Sequence, residues 1–247
     1  MLKKLCLVTL LATAGLANAA DITVSAAASL TNAFRELSQA YEAAHAGDKV
    51  LLNFAASDAL VQQISKGAPV DVFASADQEA MDKAEGMKLL AAGSRHNFVS
   101  NSVVLITPST SPLALKNLGD LRGADIKRIT TGNPASVPIG RYTKQALEKA
   151  GVWSNVETKF IFGASVRQSL DYVARGEVDA GFVYATDVGA QKDKVKAQFT
   201  VPTDTPVTYP ISALSGAANA KGARQFVDFT LSSTGQAILA KYGFGRP

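Results

Sequence analysis

The chain alternates short apolar runs with amphipathic helical periods, and this alternation restricts its fold more than any single residue does. Residues 22–28 read as a buried strand, after which Leu30, Phe34, Leu37 and Tyr41 recur at helical spacing. Residues 50–54 form a second apolar run, followed by Leu60 and Ile64 on a helix that stops at Gly67. The same grammar returns at 70–74 with a helix from Asp77, and at 129–131 with a helix opened by Pro138 and Gly140. It returns again in a helix over 166–174, ended by Gly176 and followed by a strand over 178–184. Such a pattern predicts an α/β fold of mostly parallel sheets flanked by helices, with ligands meeting helix N-termini at the carboxyl ends of the strands. At 247 residues, 47% of them hydrophobic, the chain has enough core for one large domain or two modest lobes. Two stretches, 101–107 and 208–213 around Pro210, could carry it between lobes. The expected division is 20–101 plus 211–247 for the first lobe and 102–210 for the second.

Residues 1–19 stand apart from this pattern. Lys3 and Lys4 precede an apolar run that ends in Ala17-Asn18-Ala19, the small-x-small form of a signal-peptidase site. The run is shorter than the roughly 20 residues a bilayer span needs, so the segment is expected to be a cleaved export signal. Its removal near Ala19 would take away Cys6, the only cysteine, and with it any disulfide, thiolate metal site or cysteine nucleophile. An exported chain without a lipid anchor points to the periplasm.

Catalytic signatures are missing. The sequence has no phosphate-binding G-x-x-x-x-G-K-[ST] loop, and Gly163-Ala164-Ser165 is followed by Val166 and Arg167 instead of completing an esterase turn. His45 and His96 are not at metal-ligand spacing. Lys and Arg total 25 against 21 Asp and Glu, a net +4 scattered along the chain, which argues against a nucleic-acid partner. The expectation is a protein that is not an enzyme and carries no cofactor.

What the strand-to-helix turns do offer is hydrogen-bond donors. Ser29 and Ser57 each stand at such a turn beside small residues, Ala26-Ala27-Ala28 and Ala55-Ala56, that let a ligand approach the backbone. Each could instead be an ordinary N-cap of its own helix. Pro138-Ile139-Gly140 opens a helix with the Ile139 and Gly140 amides facing outward, and Ala164-Ser165-Val166 opens another. Tyr184 ends a strand, where its hydroxyl would face the crevice or line its wall.

At these residues the sequence resembles the periplasmic molybdate-binding proteins of ABC importers, over essentially the whole chain after residue 20. The most specific matches are Ala26-Ala27-Ala28-Ser29-Leu30-Thr31-Asn32-Ala33 and the run from Gly67 to Gln78. Gly132-Asn133-Pro134, Val137-Pro138-Ile139-Gly140, Val166-Arg167, Val183-Tyr184 and Lys241-Tyr242-Gly243-Phe244 are also alike. The resemblance implies a two-lobed periplasmic binding protein of type II that closes over molybdate or tungstate. It implies a monomer that delivers the oxyanion to a membrane permease and its ATPase. It further implies that Ser29, Ser57, the Ile139 and Val166 amides and the Tyr184 hydroxyl hold the anion. A receptor for phosphate or sulfate is the alternative.

Two departures from the family pattern stand out. Ile139 replaces a usual alanine, which matters little if only its amide is used. Asp58 directly follows Ser57, and a carboxylate beside a dianion repels it unless the side chain caps the helix or pairs with a cation. The helix dipole favours an outward-pointing Asp58 in the first turn. Arg141 and Arg167 flank the two amide positions, and a rival arrangement would have these side chains grip the anion.

Overall fold

The computed structural model describes residues 21–247, so the expected export signal over 1–19 lies outside the described residues. Among those residues no helix is long and apolar enough to cross a membrane. The first lobe begins with β1 (Asp21–Ala27), a 3-10 turn (Ala28–Leu30) and α1 (Thr31–Ala44). It continues through β2 (Lys49–Ala55), α2 (Ser57–Ser65), β3 (Val72–Ala74), α3 (Gln78–Gly86) and β4 (His96–Asn101). The chain then enters the second lobe with β5 (Val103–Pro108), β6 (Ile129–Gly132), α4 (Pro138–Lys149) and α5 (Trp153–Val156). There follow β7 (Phe160–Gly163), α6 (Val166–Ala174), β8 (Ala180–Tyr184), α7 (Ala185–Val188) and β9 (Val195–Val201). It returns to the first lobe through β10 (Val207–Ala213), and ends with α8 (Ala220–Leu231) and α9 (Ser233–Lys241).

Each lobe holds one five-stranded sheet, ordered β2-β1-β3-β10-β4 in the first and β7-β6-β8-β5-β9 in the second. β1 pairs parallel with β2 and β3, and β6 parallel with β7 and β8, while β10 and β5 run against their neighbours. The reversed strand in each sheet therefore lies next to a crossing between lobes. The outward crossing passes from Asn101 to Val103. The return was expected within 208–213, but that stretch is part of β10, which pairs with β3 and β4, so the chain crosses back between Val201 and Val207. Pro210 had suggested a break. It sits instead where the β10–β4 register shifts, a bulge that tolerates a residue without an N–H.

Periodicity explains the packing. On α1, Ala33, Phe34, Leu37 and Tyr41 are buried, recurring at three- and four-residue steps as an amphipathic helix requires. A single apolar core runs from Ile22, Val24 and Phe34 in the first lobe to Leu105, Ile106 and Phe182 in the second. A smaller cluster of Leu60, Val61, Ile64, Phe73 and Met81 lies under α2 and α3.

Candidate functional site

The parallel strands β1, β2, β6 and β8 end at Ala27, Ala55, Gly132 and Tyr184, and the turns that follow them meet where the lobes face each other. Ser29 lies in the 3-10 turn after β1 and Ser57 is the first residue of α2; neither side chain caps its helix. The N-cap alternative is thereby set aside. Ser57 Oγ instead accepts the Ala76 N–H at 3.0 Å, and its own proton has no acceptor among the described residues. Ser29 Oγ lies 3.0 Å from Tyr209 Oη.

From the second lobe, α4 and α6 aim their first turns at the same point. Pro138 occupies the first turn of α4, and among the described residues the Ile139 and Val166 backbone N–H groups have no acceptor. The Gly140 amide, expected to be free, donates to Val137 O at 3.0 Å. Glycine is required at 140 for another reason: a Cβ there would collide with the Gly132 carbonyl, so the helix start could not sit against the end of β6. Tyr184 is 1% exposed, and its hydroxyl has no hydrogen-bond partner among the described residues. Burial pushes its phenol well above the ordinary tyrosine range, with Tyr209 adding to the effect, so it remains a neutral donor.

Ser29, Ser57, Ile139, Val166 and Tyr184 all line one cavity between the lobes, walled otherwise by Ala27, Ala28, Ala55, Ala56, Ala76, Val137 and Pro138. Its volume is about 10 Å³. Pockets for drug-sized organic ligands are typically roughly 300–1,000 Å³, so this cavity suits only a compact guest. No formally charged side chain lines it. A larger groove of about 360 Å³, between Gln78, Arg141 and Thr208, opens beside it and contains none of the five.

The charged residues near the cavity are paired with one another across the cleft. Asp58 does lie in the first turn of α2, but it is buried instead of pointing outward. Its carboxylate takes Lys83 Nζ at 2.7 Å and Arg141 Nη2 at 2.7 Å. Arg141, on α4 of the opposite lobe, also meets Asp77 Oδ2 through Nη2 at 2.6 Å and Nε at 2.8 Å. The other oxygen of Asp77 caps α3 by accepting Ala80 N–H. Burial raises the Asp77 carboxyl above its usual range, with Arg141 pulling the other way. For Arg141, burial opposes the charge, and the carboxylates of Asp77 and Asp58 outweigh it, raising the guanidinium further. Arg141 Nη1 is buried without an acceptor among the described residues, and Arg141 does not line the central cavity.

Arg167 behaves similarly. Its Nε pairs with the buried Asp187 at 2.8 Å, while Nη1 reaches Asn32 at 3.0 Å and Nη2 the Ser29 carbonyl at 3.4 Å in the first lobe. Asp187 in turn accepts the Tyr184 N–H at 3.2 Å, which ties the end of β8 in place. Sequence reasoning missed Asn101, Asp77 and Tyr209, whose partners lie far along the chain. It also treated both arginines as facing either the anion or solvent, whereas each crosses the cleft.

Residues 22–245 match the family model described as bacterial extracellular solute-binding protein. The molybdate-binding protein ModA of Escherichia coli (strain K12) is 36% identical over 236 residues, covering 93% of this chain and 90% of that protein. Among solved structures, the periplasmic molybdate-binding protein of Azotobacter vinelandii superposes with a TM-score of 0.80 at 23% identity, covering 92% of this chain and 99% of that one. The sulfate-binding protein SubI of Mycobacterium tuberculosis H37Rv superposes with a TM-score of 0.81 at 18% identity, covering 91% of this chain and 86% of that one. These two likenesses concern the fold.

Proposed function

This chain belongs to the family of bacterial extracellular solute-binding proteins, and we propose that the solute it captures is molybdate, with tungstate as a second guest. It is a binding protein and not an enzyme. The observation that carries the reading is the convergence of five uncharged donor positions, from both lobes, on one small cavity whose wall holds a phenol without a hydrogen-bond partner among the described residues. The Ser29 and Ser57 hydroxyls, the Ile139 and Val166 amides and the Tyr184 hydroxyl would each donate to an oxygen of the anion. Molybdate carries no proton at neutral pH, so a site of donors matches it, and the starts of α4 and α6 add positive potential without a mobile side chain. Hydrogen bonds to a charged group contribute about 1.5–3 kcal/mol each, so high affinity requires both lobes to engage at once. Binding thus closes the hinge, and the closed form is what a membrane permease and its ATPase receive. The working protein is a periplasmic monomer, cleaved near Ala19.

Kinship with ModA of Escherichia coli supports molybdate, while the likeness to SubI shows that this fold also serves sulfate. Calorimetry of the mature, ligand-stripped protein against molybdate, tungstate, sulfate and phosphate separates the two. The expected result is tight binding of the first two, with the smaller or protonated anions weaker by about 100-fold or more. Equal or tighter binding of sulfate or phosphate would make the chain a receptor for that anion instead.

A further inference from the structure

Behind Ser29 lies a chain of hydrogen bonds whose direction can be worked out. Tyr209, fully buried on β10, places its Oη 3.0 Å from Ser29 Oγ and 3.2 Å from Asn101 Nδ2. The orientation of Asn101 is set by its neighbour: its Oδ1 accepts the Ser102 N–H at 2.9 Å, which turns the amide nitrogen toward Tyr209 and toward Thr186 Oγ1, 2.9 Å away. An amide nitrogen only donates, so the phenol oxygen of Tyr209 must accept from Asn101. The phenol proton is then left with one acceptor within reach among the described residues, Ser29 Oγ. Ser29 accepts it and points its own proton away from Tyr209, toward the cavity its residue lines. Burial holds the Tyr209 phenol well above the ordinary tyrosine range, with Asp187 adding to the effect, so this proton stays in place at neutral pH.

We propose that Tyr209, oriented by Asn101, is a positioning residue that occupies one lone pair of Ser29 and aims the serine proton at the guest, and so disfavours an anion whose own proton would face Ser29. The proposal rests on the anion-site reading given above. Both residues sit on the strands that cross between lobes, Asn101 at the end of β4 and Tyr209 in β10, and the second N–H of Asn101 ends on Thr186 in the other lobe. The polarity of the serine is therefore set from the hinge, behind the cavity and out of contact with the guest.

Asn101→Asp tests this directly, because it exchanges two donors for an acceptor of the same size and keeps the Ser102 contact. Tyr209 would then donate to the new carboxylate and accept from Ser29, withdrawing the serine proton from the guest. Molybdate affinity measured by calorimetry should fall about 10- to 100-fold. A bare charge effect is separated by repeating the change in a Tyr209→Phe background, where there is no phenol to turn and the additional loss should be less than about 3-fold. Tyr209→Phe alone leaves Ser29 free to donate or accept. Molybdate affinity should drop less than about 3-fold, while the preference for molybdate over hydrogen phosphate shrinks by about 10-fold or more.

An equal loss from Asn101→Asp in both backgrounds, or an unchanged phosphate preference in Tyr209→Phe, overturns the relay. If Asn101→Asp does not fold, as judged by circular dichroism, the phosphate preference of Tyr209→Phe decides alone. Ser29→Ala distinguishes the two levels: unchanged molybdate binding there would remove the anion site itself, whereas weakened binding alongside either overturning result would remove only the relay.

Discussion

Tyr184 is a buried phenol in the wall of the cavity between the lobes. Its hydroxyl is buried without a partner among the described residues, an arrangement that costs free energy until an acceptor arrives. Tyr184→Phe should weaken molybdate binding about 10-fold, while Ser29→Ala combined with Ser57→Ala should weaken it by about 100-fold or more, both read by calorimetry. The raised phenols of Tyr184 and Tyr209 also fix a pH dependence. Below about pH 10 both the folded and unfolded chains keep these protons, and the stabilisation is complete. As pH rises past that point the unfolded chain ionises first, so folding stability declines toward the raised folded-state values. Binding should accordingly show no loss from phenol ionisation between about pH 8 and pH 10.5 wherever circular dichroism reports a folded protein. Much of this was legible beforehand, because small residues around Ser29 and Ser57 mark turns that a ligand can approach. The role of Tyr209 was not, since its partner Ser29 lies 180 positions away in the chain.

At the level of elements, the first turns of α2 and α4 meet as opposite charges beside the cavity lined by Ser29, Ser57 and Tyr184, not within its lining. A dipole argument confined to α2 placed Asp58 outward; the arginine that draws it inward comes from α4, 83 positions later. Removing one partner of a buried pair typically costs about 3–5 kcal/mol because the remaining charge is stranded. Arg141→Gln strands Asp77 in the closed form and leaves Asp58 with Lys83 as its remaining cation. It should therefore reduce affinity for molybdate and tungstate by the same factor, about 10- to 100-fold, with their ratio unchanged. A second change, Asp77→Asn, should restore part of the loss. Altered selectivity in Arg141→Gln would instead mean that its guanidinium touches the anion. The alternation of strands and helices was readable throughout, since burial follows the period of each segment. Pro210 misled the reading because a proline in a strand signals an edge or break unless a bulge receives it, and bulges leave no mark in composition.

For the molecule as a whole, the two lobes share an apolar core, and among the described residues two stretches of chain link them. Closing over a guest therefore needs adjustment at a few backbone positions near Asn101 and Val207 while each sheet moves as a body. The pairing at these positions has a further consequence. Asn101 lies opposite Val207 in the first sheet, and Val103 lies opposite Val201 in the second, so each lobe is entered and left at the two sides of a single rung of an antiparallel ladder. The second lobe is thus a looped-out insert whose excision would leave two ends already aligned for a tight hairpin. By the same logic, the site where the chain departs and returns is a natural splice point for a fluorescent reporter, which would convert the closing motion into an optical signal.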